Sequence, residues 1–225
     1  MRRHLLFQLV RDLRAVAGVY EEACQIVVRA DSEISTVEEL EGHRVSVGEE
    51  ESGTKQNALQ ILAAYGLNEK LVEEVSLNYT EAAKELENGS IDAFFCTAGA
   101  QTAAIANLAQ RTGIRFLNVD GAAAARLKKS YPVYDSCIIA AGTYPGQEED
   151  VSTVGVKAVL LASDSVSAEV VEELTALLFE EQQELDFALP VELITEADAA
   201  ADGLPVPFHK GAERYYESRG EKSEN

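Results

Sequence analysis

VSVGEEESGTKQNA, Val45 to Ala58, sets the reading of the whole chain. Val45-Ser46-Val47 is a β-branched run, Gly48 breaks it, and Ala58, Ile61, Leu62 and Tyr65 then recur at helical spacing up to Gly66. The unit is strand, loop, helix, so the loop presents a helix N-terminus. Gly48 and Gly53 have the spacing of a phosphate loop, G-x-x-x-x-G-K-[ST], but Thr54-Lys55 stand in reversed order. In such a loop the lysine meets the terminal phosphates and the hydroxyl meets magnesium, each from its own position. Glu49, Glu50 and Glu51 also fill the stretch that would wrap a polyphosphate. At an effective dielectric near 20, a carboxylate ~4 Å from a phosphate charge costs on the order of 4 kcal/mol. Nucleotide binding is set aside. Ser52-Gly53-Thr54 still offers hydroxyls and unpaired N–H groups, which suit one carboxylate, although Ser52 or Thr54 capping its own helix accounts for the same residues.

A second loop has the same form. Ala93-Phe94-Phe95-Cys96 reads as a buried strand and runs through Thr97-Ala98-Gly99 into a small-residue helix from about Thr102 to Arg111. If both strands lie parallel in one sheet, both loops emerge at its carboxyl edge, where open α/β folds hold ligands. The rest keeps this alternation. Strands are expected at Gln25–Arg29, Arg115–Val119 and Cys137–Ala140, and Val156–Ala162 is an apolar run suited to a central parallel strand. Ser35 with Glu38, or Thr36 with Glu39, forms a capping box for a short helix that Gly42 stops, and Thr80 is placed to cap the next helix, which Gly89 ends. Val170, Val171, Leu174, Leu177 and Leu178 form one helical face, and Gly220 to Asn225 reads as a frayed polar tail. The fold class is α/β with mostly parallel sheets.

Composition removes whole classes of function. The 225 residues carry 39 acidic and 19 basic side chains, a formal net charge of -20, which repels nucleic acid and anionic lipid. Cys24, Cys96 and Cys137 lack metal spacing, and His4, His43 and His209 are scattered, so no metal or cofactor is expected. No apolar run reaches the ~20 residues of a membrane span. In MRRHLLFQLVRDLRAVAG, Gln8, Arg11, Asp12 and Arg14 interrupt the leucines too early for a signal-peptide core.

Cys24 to Gly66, Ile91 to Ile105 (IDAFFCTAGAQTAAI), Tyr131 to Leu161 and Gly203 to Gly220 together resemble the TAXI family of solute-binding receptors for tripartite ATP-independent periplasmic (TRAP) transporters. The GTYPGQ and HKGAERYY stretches are its most specific parts, and the resemblance runs from about Leu13 onward. It implies a type II periplasmic-binding-protein-like fold of two lobes, residues 43–150 forming the second and residues 1–42 with 151–225 forming the hinge and an incomplete first lobe. It also implies a glutamate-like or related organic acid as solute, transport as role, TRAP membrane subunits as partners, and a periplasmic or cell-surface location. Carried onto this chain, Ser52, Gly53, Thr54, Thr97, Ala98 and Gly99 contact the solute, with Thr143 and Tyr144 of GTYPGQ near the return crossing.

Three residues depart from the family pattern. Glu51 stands where glycine precedes S-G-T, Gln101 where proline is usual, and Lys210 where P-G-A-E-R-Y-Y begins. Family members also carry a signal peptide and a first strand, loop and helix ahead of the counterpart of Leu13, so sheet edge and apolar surface are expected to be uncovered. Two other readings remain: an enzyme with Cys96 as nucleophile on a two-lobed scaffold, and a ligand-sensing or non-functional remnant.

Overall fold

The computed structural model describes residues 12–180 and 193–223; residues 1–11, on which the leader reading turns, lie outside them. Two compact units divide the chain, one of residues 22–156 and one of residues 1–21 with 157–225. Two long strands, β1 (Leu13–Arg29) and β7 (Val151–Ser163), belong partly to each.

The unit of residues 22–156 contains β2 (Arg44–Ser46), α1 (Gly53–Ala64), β3 (Glu73–Val75), α2 (Tyr79–Glu87), β4 (Ala93–Ala98), α3 (Ala103–Thr112), β5 (Ile114–Phe116), α4 (Gly121–Ser130) and β6 (Asp135–Ile139). Strand order is β3-β2-β4-β1-β7-β6, with β5 on β1. The sheet is mixed. β2 runs parallel to β3 and β4, as the strand–loop–helix grammar requires, while β1 opposes β4 and β5, and β6 opposes β7. Val156–Ala162, expected as a central strand, forms the second half of β7, whose first half, Val151–Gly155, pairs antiparallel with β6. The run is only half-buried, and Leu161 is 39% exposed.

Both faces of this sheet are covered, which is why AFFC reads as a continuous apolar run. Ile26, Val28, Val45, Val47 and Phe95 pack with Ile61 and Leu62 of α1 and Leu127 of α4 on one face. Val27, Phe94 and Cys96 pack with Leu86 of α2 and Ile105 and Leu108 of α3 on the other. The expected helix after Ser35 is one 3-10 turn, Glu38–Leu40. The expected capping box does not form: Val37 is the N-cap, and the Glu39 carboxylate instead accepts from the Ser35 and Thr36 N–H groups and the Ser35 hydroxyl, which hold its pKa below the ordinary range. Asn78, not Thr80, caps α2: its Oδ1 accepts from Glu81 N–H at 2.9 Å and Glu81 reaches back to the Asn78 N–H. The extended Asn78 backbone turns into the helix two residues before Thr80, which lies inside it.

In the other unit, residues 13–21 of β1 and 157–163 of β7 carry α5 (Ala168–Glu180), α6 (Ala197–Ala201) and α7 (Lys210–Ser223). Val16, Val171 and Ala212 join α5 and α7 to the sheet. At the crossing, a Cβ on Gly211 would overlap the Ala168 carbonyl oxygen and lie 2.7 Å from the Glu172 nitrogen, so only glycine fits. The expected apolar face of α5 is split. Val171 is buried, whereas Val170, Leu174 and Leu177 are exposed. Of the expected frayed tail, residues 220–223 end α7, and residues 224–225 lie outside the described residues.

Candidate functional site

Because β2 and β4 are parallel neighbours, with Ser46 opposite Phe94, the loops that follow them leave the sheet at the same edge. Ser52 is the N-cap of α1, extended at φ -82°, ψ 155°, and its Oγ accepts from Lys55 N–H at 3.1 Å. The capping explanation of Ser52 therefore holds, yet it uses only the serine's acceptor side. Gly53 and Thr54 are the first residues of the helix, whose N–H groups point out of its end with the positive pole of the helix dipole. Lys55 adds no free cation: its Nζ lies 2.7 Å from the Glu50 carboxylate and 3.3 Å from Ser76 Oγ. Those bonds hold Glu50 below the ordinary carboxylate range.

Both loops are held in left-handed backbone conformations by residues that disfavour them. Glu51 has φ 61° and Gln101 φ 67°. Glycine would take the first of these conformations without strain, and proline could not stand at the second, because its ring fixes φ near -65°. Strain of order 1–3 kcal/mol at such positions persists only where the surroundings over-determine the backbone.

Three tyrosines brace the elements beside these loops. Tyr79, the first residue of α2, donates to the Thr97 carbonyl at 2.9 Å and lies 2.6 Å from Thr54 Oγ1. Its one proton is committed to Thr97, so Thr54 is the donor of the shorter bond. One phenol thereby ties the start of α1 to the end of β4, and burial raises its pKa. Tyr134 lies 2.8 Å from Asn57 Oδ1 and 2.7 Å from Gln60 Oε1. One proton serves one of these, so the pair is complete with Gln60 presenting its amide nitrogen. Asn57 Nδ2 in turn donates to Thr97 Oγ1 at 3.2 Å. Tyr144 donates to Gln25 Oε1 at 2.6 Å and accepts from the Thr102 N–H at 3.0 Å, and its ring packs on Phe116. Thr102, the N-cap of α3, turns its hydroxyl to the Gly99 carbonyl at 3.0 Å, which closes the second loop on itself.

Thus the structure brings Ser52, Gly53, Thr54, Thr97, Ala98 and Gly99 to one edge. Thr54 and Thr97 are buried there with their hydroxyls bonded internally, and Ser52, Ala98 and Gly99 are half-buried. Tyr144 is buried beneath the second loop rather than on its surface, and Thr143 Oγ1 donates to Ala140 O within its own turn. Asn57, Tyr79, Tyr134, Gln25 and Thr102 are additional members. Only the Asn78-Glu81 box beside Tyr79 is a sequence signal, and it marks the helix start, not the phenol's reach. Cys96 is fully buried, and burial pushes its thiol up to about 12, as it does for Cys24. A thiol so placed yields no thiolate near neutrality. Of the described histidines, His43 pairs with Asp92 and His209 belongs to the other unit.

A family model described as the NMT1-like family matches residues 6–220, so the chain belongs to the NMT1-like family. Among solved structures, it is similar to the periplasmic aliphatic sulphonate binding protein SsuA from Escherichia coli, at 19% identity over 92% of this chain and 65% of that one, TM-score 0.47. It is also similar to the alkanesulfonate-binding protein SsuA from Xanthomonas axonopodis pv. citri bound to MOPS, at 19% identity over 92% of this chain and 59% of that one, TM-score 0.44. A third is an ancestral arginine-binding protein bound to glutamine, at 17% identity over 90% of this chain and 63% of that one, TM-score 0.40. The chain spans 59 to 65% of the length of these three proteins.

Proposed function

We propose, with membership of the NMT1-like family as the premise, that this protein is a solute-binding receptor of the TAXI type. It captures a small carboxylate-bearing solute outside the cytoplasm and delivers it to the membrane subunits of a TRAP transporter. The observation that carries this reading is the Thr54–Tyr79–Thr97 tie, which fixes a helix N-terminus and a second small-residue loop at one sheet edge. A carboxylate would sit against the N–H groups of Gly53 and Thr54 and the Ser52 hydroxyl, whose own proton is not used by the cap. Ala98 and Gly99 let the ligand approach the second loop's backbone. With Lys55 engaged by Glu50, the site favours one negative charge over several. Catalysis through Cys96 has no support in its surroundings.

A thermal-shift panel of glutamate, glutamine, small dicarboxylates, 2-oxo acids and a nucleotide control tests this. A ligand at ~100 times its Kd adds about 2.7 kcal/mol, which is several degrees in a protein of this size. A shift with one carboxylate that is lost in Gly53→Pro is expected. Equal shifts with the nucleotide, or none with any carboxylate up to millimolar levels, would count against the reading.

A further inference from the structure

We propose that the unit of residues 1–21 and 157–225 holds a short-chain monocarboxylate in a cavity of about 400 Å³ at the starts of α5 and α7, with His209 as its donor. None of the residues involved belongs to the solute site.

The imidazole sets the chemistry. His209 is 3% exposed and precedes Lys210, the first residue of α7. Its Nδ1 accepts from the Gly211 N–H at 3.1 Å and its carbonyl from the Glu213 N–H at 2.9 Å, so it caps the helix. A backbone N–H can only donate, so Nδ1 is bare and the neutral ring carries its proton on Nε2. Among the described residues Nε2 makes no hydrogen bond. The fully enclosed side-chain polar atoms without a partner there are Ser46 Oγ and the Tyr215 hydroxyl. Nε2 is not one of them, so it meets open space, and the space that His209 borders is this cavity. A buried donor left unpaired is costly, and it selects a ligand that accepts. The same tautomer argues against a metal ion, because the ring's lone pair is turned to Gly211. Nor do three His, Cys, Asp or Glu side chains gather among the described residues.

Charge around the donor narrows the class. Lys210 and Arg14 bring two cations to the cavity and Asp164 and Glu213 two carboxylates, with Arg14 on Asp164 at 3.3 Å. The formal charges cancel. What remains is a set of neutral donors: the imidazole N–H and the first-turn N–H groups that the Ser167 and His209 caps do not use. α5 begins at Ala168 and α7 at Lys210, both on the cavity wall, so the positive poles of two helix dipoles meet there. Such a set suits one negative charge, since a second would meet Asp164 and Glu213. Phe208 and Val166 add apolar wall, which fits a short hydrocarbon body on that charge rather than a bare inorganic anion.

The experiment uses the full chain with isotope-labelled histidine, titrated with butyrate, its neutral isostere butyramide, and inorganic phosphate. Affinities are read by calorimetry. Proton–nitrogen spectra of the imidazoles, assigned with His209→Asn, should show His209 protonated at Nε2 and moving saturably with butyrate, at a Kd of about 1 mM or below. Butyramide and phosphate should each bind about tenfold more weakly or worse. His209→Asn keeps an acceptor for the Gly211 N–H, so it should melt with the wild type while losing about tenfold or more in butyrate affinity. Glu213→Gln, at an exposed carboxylate, should tighten butyrate about threefold, a gain that misfolding cannot produce. Binding should survive Gly53→Pro in the solute site. No saturable binding up to about 10 mM, His209 protonated at Nδ1, tighter binding of phosphate, or unchanged affinity in Glu213→Gln would overturn the proposal. So would binding lost in Gly53→Pro and kept in His209→Asn, which would place butyrate at the solute site instead.

Discussion

Replacing Tyr79 with Phe removes one oxygen and tests the central tie of the solute site. The ring stays, so packing around α2 is unchanged, but two bonds are lost: the donor to Thr97 O at 2.9 Å and the acceptor of Thr54 Oγ1 at 2.6 Å. Thr54 is buried, and a buried polar group left without a partner costs about 1–3 kcal/mol. Thermal unfolding should fall by roughly 2–4 °C per kcal/mol for a chain of this size. Thr54→Val alone should cost a similar amount, and the double variant less than the sum, with a coupling above about 0.5 kcal/mol. Affinity for the solute that shifts the wild type should drop about tenfold, because Gly53 and Ala98 no longer keep one spacing. Calorimetric titration and a denaturation series on the four proteins measure both quantities. A Tyr79→Phe protein with unchanged melting and affinity, or strictly additive losses, would refute the reasoning.

Four further outcomes are expected. Glu51→Gly relieves the left-handed strain at φ 61° and should raise stability by up to about 1 kcal/mol in chemical denaturation; a loss would contradict it. Gly211→Ala forces a methyl into the Ala168 carbonyl and should cost at least about 1–3 kcal/mol, with faster proteolysis of α5 and α7 than of α1–α4. Stability should decline above about pH 9. There the unfolded thiols of Cys24 and Cys96 ionise while the folded ones, pushed up to about 12, stay protonated, a slope near 1.4 kcal/mol per pH unit for each. Cys96→Ala should make the decline shallower by about 1.4 kcal/mol per pH unit in urea titrations at pH 9 to 11, the buried tyrosines supplying part of what remains. Iodoacetamide should leave Cys96 unlabelled in the native protein at neutral pH, and rapid labelling would revive the nucleophile.

Much of this molecule is local and therefore legible. The alternation of β-branched runs with 3.6-period stretches fixes the α/β class, and a glycine-marked loop between them fixes where helix N-termini meet the sheet edge. Ser52 as cap and Thr102 at the start of α3 follow from short-range chemistry alone. Even the strain at Glu51 is foreshadowed by the glycine expected there. Strand direction, by contrast, is a property of pairs, which is why no single run shows that β1 opposes β4 and β5. The tyrosine ties are equally non-local: Tyr79 is 18 residues from Thr97, and Tyr134 is 77 from Asn57. A phenol's reach across ~6 Å of space leaves no period or spacing in a sequence. The same holds for α5, whose periodicity marks Val170, Leu174 and Leu177 as one apolar face but not what lies against it. The residues of the chain determined which surfaces want cover and which loops offer donors. Only tertiary packing decided which surfaces are covered and which hydroxyls hold the loops, because both depend on what the fold places opposite them.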